Sequence, residues 1–406
     1  MIDAGRKQEW RRQVEQELTG DILPFWLSHT IDQERGGFYG LVANDGRVDR
    51  DAPRSAVLTG RILWTFAAAY RVYHKPEYLQ AARHAYEYLI GCFQDRQYGG
   101  FYWMLDAWGV PLNPRKQIYA QAFVLYAASE YYRAAGEPAA LTLAQDVFRL
   151  IEEKSHDPQA GGYFEAYNRD WSALLDWRLS EKDLNCPKSM NTLLHVLEAY
   201  TNLLRIWDDA LLKQRLAELI EVFLQYVIDP QTSHFKMFFE TNWASLSDHV
   251  SYGHDIEGSW LLLEAAQVLG DPALAGRVKT AALRMAEAVY AEAREPDGSL
   301  LYEASPRQII IADKHWWAQA EAVVGFYNAY QASGSGGERY LDAAWQAWQY
   351  IDARVIDHKD GEWYAVLKRD GSPYSAAENP DQHKVGPWKC PYHNSRMCLE
   401  MVERLG

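Results

Sequence analysis

The chain has 406 residues, of which 48% are hydrophobic and 24% are charged, and its formal net charge is −14. This ordinary globular composition excludes a disordered chain, a collagen-like chain and a small fold that depends on disulfides. The acidic balance lacks the basic footprint of a protein that binds nucleic acid or an anionic membrane. We therefore expect a small uncharged molecule as the partner, with neither nucleic acid nor membrane.

No targeting or membrane-spanning pattern is visible. Residues 1–16 carry charges of both signs without an apolar core. No later stretch has the ~18 uncharged apolar residues of a membrane helix, so we expect a cytoplasmic protein. The cysteines form no Cys-x-x-Cys pair, which predicts buried thiols rather than disulfides or a zinc site. They are Cys92, Cys186, Cys390 and Cys398.

A loop motif recurs along the chain, in which an aspartate is followed four residues later by glycine and then by aromatic residues. Clear copies occupy Asp32–Tyr39, Asp95–Tyr102 and Asp157–Phe164. Weaker copies begin at Asp229, Asp297 and Asp357. Glycine allows a left-handed backbone and aromatic residues favour strands, so each copy predicts a turn that leads into a short strand.

Two long helical patterns lie between successive loops. Residues 54–71 and 115–133 are apolar nearly all round, which indicates helices buried on every side. Residues 272–293 instead place Leu274 and Val278 on one apolar stripe, as in an amphipathic surface helix. Further buried helices are predicted to begin near residues 187, 254, 314 and 391. Six buried helices alternating with six surface helices predict an all-α fold, an (α/α)6 barrel with short β-hairpins in its loops, formed by residues 1–406 as a single catalytic domain.

Unusual polar residues fall near the predicted starts of the buried helices. In a helical barrel these starts share one open end, so the side chains would line one pocket. Buried polar groups are costly without partners, and several at one level favour function over packing. The candidates are Arg61, Asp183, Asn191, His195, His254, Glu257, His393 and, with less support, His315 and His383. His254 and Glu257 are three residues apart and can interact on one helix face.

A metal site is the alternative interpretation of this cluster, with His254 and Glu257 as ligands together with His195 or His393. Their spacing is not a strong zinc signature. No Walker or Gly-x-Gly-x-x-Gly motif supports a nucleotide site. The 16 tryptophans outnumber the 13 phenylalanines. Core packing accounts for most of them, but indole faces also suit the apolar faces of sugars.

The same segments resemble the N-acylglucosamine 2-epimerase superfamily, and within it the cellobiose 2-epimerase branch. The segments are Glu181–Tyr200, Ser251–Glu257, Trp316–Ala322 and Trp388–Asn394. The similarity extends from Ile22–Trp26 and Arg61–Trp64 to Cys398–Glu400, which is nearly the whole chain. One departure is Leu193, where the family motif has a histidine.

The resemblance implies reversible epimerisation at C2 of the reducing-end glucose of β-1,4-linked disaccharides such as cellobiose and lactose, without a metal or cofactor. The aldehyde of the open-chain sugar acidifies the C2 proton, and histidine titrates near working pH. By resemblance, His254 and His393 remove and return this proton, and Glu257 orients or polarises His254. The expected enediolate stabilisers are Arg61, His195, Asn191 and Tyr119, and the expected substrate contacts are Asp183, Trp317 and Trp388, the two indoles stacking on the sugar rings.

Three other functions remain open at this stage. A glycoside hydrolase would need two opposed carboxylates, for which Asp183 and Glu257 are candidates. A sugar-binding protein would use the tryptophans and leave the histidines passive. A relative that acts on N-acylglucosamine or mannose is the third. We expect a monomer or weak homo-oligomer.

Overall fold

The computed structural model describes residues 4–375, 377–379 and 382–406. The first three residues of the charged segment 1–16 lie outside the described residues. Within these ranges, no helix is long and apolar enough to cross a membrane. The helices are α1 Ala4–Glu17, α2 Leu23–His29, α3 Ala56–Tyr73, α4 Pro76–Tyr88, α5 Ile118–Ala135, α6 Pro138–Lys154, α7 Met190–Leu204, α8 Ala210–Val222, α9 Tyr252–Leu269, α10 Pro272–Glu292, α11 Trp316–Ser333, α12 Glu338–Tyr350 and α13 Tyr392–Leu405.

Six helices form a closed inner ring. Each packs against the next in the order α3, α5, α7, α9, α11 and α13, and α13 packs back against α3. The outer helices α4, α6, α8, α10 and α12 each lie against the inner helix that precedes them in the chain, and α1 lies against α13. The predicted (α/α)6 barrel is confirmed, and so are the inner helices over 54–71 and 115–133.

The burial of the helices follows their sequence patterns. Every residue of α3 from Ala56 to Ala69 is buried, because helices surround it on all sides. Helix α10 buries only one stripe, which includes Leu274 and Val278. Inner helices approach closely at Gly325, where a Cβ would lie 2.7 Å from the carbonyl oxygen of Ile256.

Short antiparallel strands cap the end of the barrel at which the inner helices begin. They are β1 Leu41–Ala43, β2 Val48–Asp49, β3 Arg54–Ser55, β4 Met104–Leu105, β5 Pro111–Asn113, β6 Lys116–Gln117, β7 Ala166–Tyr167, β8 Lys188–Ser189, β9 Phe238–Phe239, β10 Val250–Ser251, β11 Glu303–Ser305, β12 Gln308–Ile311, β13 Lys314–His315, β14 Val366–Leu367 and β15 His383–Val385. Each of β3, β6, β8, β10 and β13 leads directly into an inner helix and pairs with the strand that follows the next outer helix. The pairing of β15 with β1, Val385 opposite Val42, closes the circle.

The repeated loops are tight turns held by buried charge pairs. In the first copy, Asp32 accepts hydrogen bonds from the backbone N–H groups of Glu34 and Arg35, both at 3.0 Å, and forms an ion pair with Arg54. The two glycines that follow have φ of 76° and 67°, which glycine adopts without strain. Equivalent buried pairs join Asp95 to Lys116, Asp157 to Lys188 and Asp357 to Lys384.

The predicted strand after each turn is confirmed. An isolated bridge such as Ile31 opposite Phe38 closes the turn, and the strands β1, β4, β7, β9, β11 and β14 follow within a few residues. One prediction about these loops was wrong in detail. In the fifth copy, the acidic residue that forms the ion pair with the strand lysine, Lys314, is Glu295 and not Asp297. Asp297 instead accepts hydrogen bonds from Ser299 within the turn.

Candidate active site

The strand-to-helix junctions bring most of the predicted site residues to one end of the barrel. Each inner helix starts where a capping strand ends, so residues in the first two turns of different helices face one another. Tyr119, Trp317 and His393 are the second residues of their helices, His254 is the third, and Arg61 and His195 are the sixth.

Trp317 contacts both of the histidines that were predicted to remove and return the proton. Its ring centroid is 4.7 Å from that of His254 and 5.5 Å from that of His393. Gly253 allows this packing, because a Cβ there would lie 2.6 Å from the indole. The structure therefore brings His254 and His393 together against one aromatic ring.

Each of the three histidines is held through Nδ1. His393 Nδ1 lies 2.7 Å from Glu321 Oε1, and His195 Nδ1 lies 2.9 Å from Glu198 Oε2. An ionised carboxylate only accepts hydrogen bonds, so in both rings Nδ1 carries the hydrogen and Nε2 keeps its lone pair. His254 Nδ1 lies 2.7 Å from the Ser251 hydroxyl, which can either donate or accept.

A buried charge cluster lies one helical turn deeper than the histidines. Arg396 donates to Glu257 Oε1 at 2.5 Å and to Glu321 Oε1 at 2.6 Å, and it also binds Glu198. All four side chains are at most 3% exposed. One guanidinium therefore joins the side chains of glutamates from three inner helices. Of these glutamates, Glu198 binds the catalytic candidate His195, and Glu321 binds the catalytic candidate His393.

The predicted contact between Glu257 and His254 is wrong. Although the two residues are three apart on α9, Glu257 binds Arg396, and its Oε1 lies 3.8 Å from Nδ1 of His393. The charged guanidinium of Arg396 attracts the Glu257 side chain more strongly than the neutral imidazole of His254, on the same helix face, does. The polar neighbour of His254 is Ser251 instead.

Burial sets the charge states in this site. It lowers the pKa of His254 to about 3, with the charge of His195 adding to the effect. It also lowers the pKa of His195, and it lowers the pKa of His393 well below its usual value. Burial, reinforced by the charge of Glu321, raises the pKa of Glu257 to about 8. At neutral pH the three imidazoles are therefore neutral, which is the form that accepts a proton.

Arg61 on α3 contacts aromatic side chains of the neighbouring helix α5. It donates to the Tyr119 hydroxyl at 2.9 Å, and its guanidinium lies 4.3 Å from the ring centroid of Phe123. The ring of Tyr119 in turn lies 4.9 Å from that of His195. Arg61, Tyr119 and His195 therefore form one contiguous wall, as their predicted shared role requires.

The remaining predicted residues occupy different levels of the site. Trp388 is 40% exposed and lies 6.0 Å from Trp103 and 5.9 Å from Tyr119 between ring centroids, at the outer edge. The side-chain oxygen of Asn191 is buried without a hydrogen-bond partner, so it is available to a ligand. Asp183 accepts hydrogen bonds from the backbone and hydroxyl of Ser180 and orders its own loop.

The weaker histidine candidates do not join the pair. His315 stacks on Tyr302 with 3.6 Å between ring centroids. His383 belongs to β15, which pairs with β1 at the rim. Both are partly exposed.

The described residues hold one group with metal-ligand spacing, formed by Glu257, Glu321 and His393, whose ligand atoms lie within 4.8 Å of one another. This is not the predicted set, since Glu321 replaces His254. Arg396 already donates to the same carboxylate oxygens of both glutamates. A divalent ion would have to displace this guanidinium, so the donor set does not fit a resident metal.

Sequence reasoning missed Glu198, Glu321 and Arg396. The available signal was a charged residue inside an otherwise apolar inner helix, where a charge needs a partner. Glu198 and Arg396 also lie three residues after His195 and His393, which places them one turn deeper on the same faces.

The fold and the site together define an (α/α)6 barrel with three buried or partly buried histidines at the end where its inner helices begin. The profile of the N-acylglucosamine 2-epimerase (GlcNAc 2-epimerase) family matches residues 36–385. The cellobiose 2-epimerase of Bacteroides fragilis is 45% identical over 97% of this chain and 98% of its own length, and that of Dictyoglomus turgidum is 39% identical over the same shares. The structure of cellobiose 2-epimerase from Bacillus thermoamylovorans B4167 superposes with a TM-score of 0.91 at 42% identity, covering 98% of this chain and 100% of that one. The chain belongs to the N-acylglucosamine 2-epimerase family and is an enzyme of the epimerase class.

Proposed function

We propose that the protein epimerises C2 of the reducing-end glucose of β-1,4-linked disaccharides, such as cellobiose and lactose, to mannose. The observation that carries this proposal is that two neutral histidines from different inner helices, His254 and His393, contact the same ring, that of Trp317. Inversion at C2 requires removal of a proton from one face and its return to the other. Two imidazoles with accessible lone pairs on different helices can serve both faces.

In this mechanism the ring-opened sugar loses its C2 proton to Nε2 of one histidine and becomes an enediolate. The other histidine, once protonated on Nε2 by solvent, would return that proton to the opposite face, and the first histidine would release its proton to water. The protons then balance over the cycle, and no hydride carrier is required. Nδ1 of His393 remains bound to Glu321, which keeps the reacting lone pair on Nε2. Ser251 can serve His254 in either tautomer, which suits a reversible reaction.

Arg61, with Tyr119, His195 and Asn191, would stabilise the negative charge that develops on the enediolate oxygens. The guanidinium of Arg61 is buried among aromatic rings, so its charge is weakly screened. The unpartnered oxygen of Asn191 would accept a hydrogen bond from a sugar hydroxyl.

The second sugar would rest on Trp388, whose exposed indole lies at the outer edge of the site. Trp317 is too close to the histidines to serve only the distal sugar, so we assign it to the reacting unit. Asp183 would bind substrate through its loop. We further propose that residues 1–406 act as one catalytic domain that needs neither metal nor cofactor.

Glycoside hydrolysis receives less support. It requires two carboxylates that flank the scissile bond, whereas Glu257 is bound to Arg396 and Asp183 caps its own loop. Incubation with cellobiose followed by chromatography separates the candidates. Epimerisation yields glucosyl-mannose, hydrolysis yields glucose, and a sugar-binding protein yields neither. Glucose as the sole product would overturn the proposal.

A further inference from the structure

Glu362 occupies an unusual backbone position for its side chain. It is buried, has φ of 62° and directly precedes Trp363. Glycine stands at the corresponding position before Phe38, Phe101 and Tyr163 in the first three loops. A side chain in the left-handed region is strained, and such strain persists where the surrounding structure makes use of the residue.

The carboxylate of Glu362 is bound on both oxygens. Oε2 forms an ion pair with Lys389, and Oε1 accepts hydrogen bonds from Asn394 Nδ2 at 2.9 Å and from Trp26 Nε1 at 3.0 Å. Lys389 is 2% exposed, and its ammonium lies 4.5 Å from the ring centroid of Trp316. Glu362 therefore ties the chain after β15 to two neighbouring elements.

This ion pair is additional to the repeated one. The sixth loop already contains the pair of Asp357 with Lys384, which joins turn to strand as in the earlier loops. That pair accounts for the architecture of the loop. The second pair, between Glu362 and Lys389, reaches a segment that the repeated pair does not contact.

The residues held by Glu362 directly follow two residues of the proposed active site. Lys389 follows Trp388, and Asn394 follows His393. Residues 386–391 form neither helix nor strand, so no ladder of backbone hydrogen bonds locates the indole. Side-chain tethers must supply the precision that regular structure supplies elsewhere in the site.

We propose that Glu362 and Lys389 are positioning residues that hold Trp388 and His393 in the geometry needed for epimerisation, an inference that rests on the proposed function. They act through their neighbours and do not touch the substrate. A misplacement of about 1 Å can lower a rate about 10²-fold. The loss should therefore appear both in kcat, through His393, and in KM for disaccharides, through Trp388.

The test variant is Glu362→Gly with Lys389→Met, which removes both charges, relieves the backbone strain and keeps most of the lysine stem volume. We expect kcat/KM of the folded variant for cellobiose to fall about 10²-fold. Its melting temperature should also fall, because the buried side-chain donors of Asn394 and Trp26 lose their acceptor. The matched control is Asp357→Asn with Lys384→Met, which removes the repeated pair of the same loop. It should lower the melting temperature and leave kcat and KM of the folded enzyme nearly unchanged.

Wild-type kcat and KM in the test variant would overturn the inference, as would an equal kinetic loss in the control. If the double variant does not fold, Glu362→Gln is measured in the same way, because it retains an acceptor for Asn394 and leaves only the lysine unpaired. A wild-type protein that does not epimerise cellobiose overturns the proposed function instead. The inference is then judged from crystal structures of the variant, in which unmoved rings of Trp388 and His393 would refute it.

Discussion

Nδ1 of His393 lies 2.7 Å from Oε1 of Glu321, and the two side chains come from α13 and α11, 72 residues apart in the chain. This contact fixes the tautomer of the imidazole and leaves Nε2 as its proton-accepting atom. Because Glu321 also binds Arg396, the orientation of the histidine depends on the charge cluster beneath it.

The first prediction concerns the two histidines. His254→Asn and His393→Asn should each lower net epimerisation by roughly 10²- to 10⁴-fold, because one face of C2 loses its proton-transfer group. Cellobiose converted in heavy water by the wild type should carry deuterium at C2 and at no other ring position. The remaining histidine of each variant can still exchange the C2 proton of the epimer that faces it, which mass spectrometry detects.

The control is His84→Asn, on the outer helix α4, which should keep wild-type activity. Near-normal epimerisation in both site variants would remove His254 and His393 from the mechanism. Transfer of the C2 hydrogen into product without solvent exchange would do the same.

A second prediction separates the two sugars of the substrate. Trp388→Ala should raise KM for cellobiose more than it changes any activity on monosaccharides, because the exposed indole serves the distal unit. Trp108→Ala provides a control with a similar change in volume, at a side chain that is 64% exposed. Equal losses on disaccharide and monosaccharide would place Trp388 at the reacting sugar.

The third prediction addresses the buried cluster. Arg396→Met leaves the buried carboxylates of Glu198 and Glu321 without their cation and Glu257 without its donor, so the free energy of unfolding should fall by about 3–5 kcal/mol. Urea denaturation measures this change. Arg149→Met removes a pair in which both side chains are more than half exposed and should cost less than about 1 kcal/mol. Similarly small losses of unfolding free energy in both variants would mean that Arg396 contributes little to the stability of the protein.

The fourth prediction follows from the raised pKa of Glu257. Its native pKa of about 8 exceeds the ordinary value of 4.5, so the native state holds this proton more tightly than the unfolded state does. The stabilisation is fully present below pH 4.5 and is lost as the pH rises towards 8. Urea unfolding of wild type and Glu257→Gln at pH 5 and pH 8.5 should therefore show the wild type losing more stability. Parallel pH profiles would show that Glu257 is ionised throughout.

The fifth prediction is independence from metal ions. Dialysis against a strong chelator should leave the epimerisation rate unchanged, because Arg396 already occupies an oxygen of each glutamate in the group with metal-ligand spacing. Activity that is lost on dialysis and restored by a divalent ion would instead assign Glu257, Glu321 and His393 as ligands.

The fold was predictable because its signals are local. Each loop carries its own aspartate and left-handed residues, and each inner helix carries its own apolar surface. The repeat of these signals along the chain specifies six similar units, and the closure of the ring then places the helix starts together. His254 and His393 could be placed in one pocket for this reason alone.

The sequence by itself determined the barrel and the level at which the histidines lie. Only the tertiary structure decided which partner each buried charge takes. Glu257 binds Arg396, 139 residues away, rather than His254 on its own helix, and Glu321 rather than Glu257 binds His393. Spacing along one helix indicates which of its side chains can contact one another. The pairing of buried charges depends instead on which other helices place an opposite charge at the same point. That is set by the closure of the whole ring.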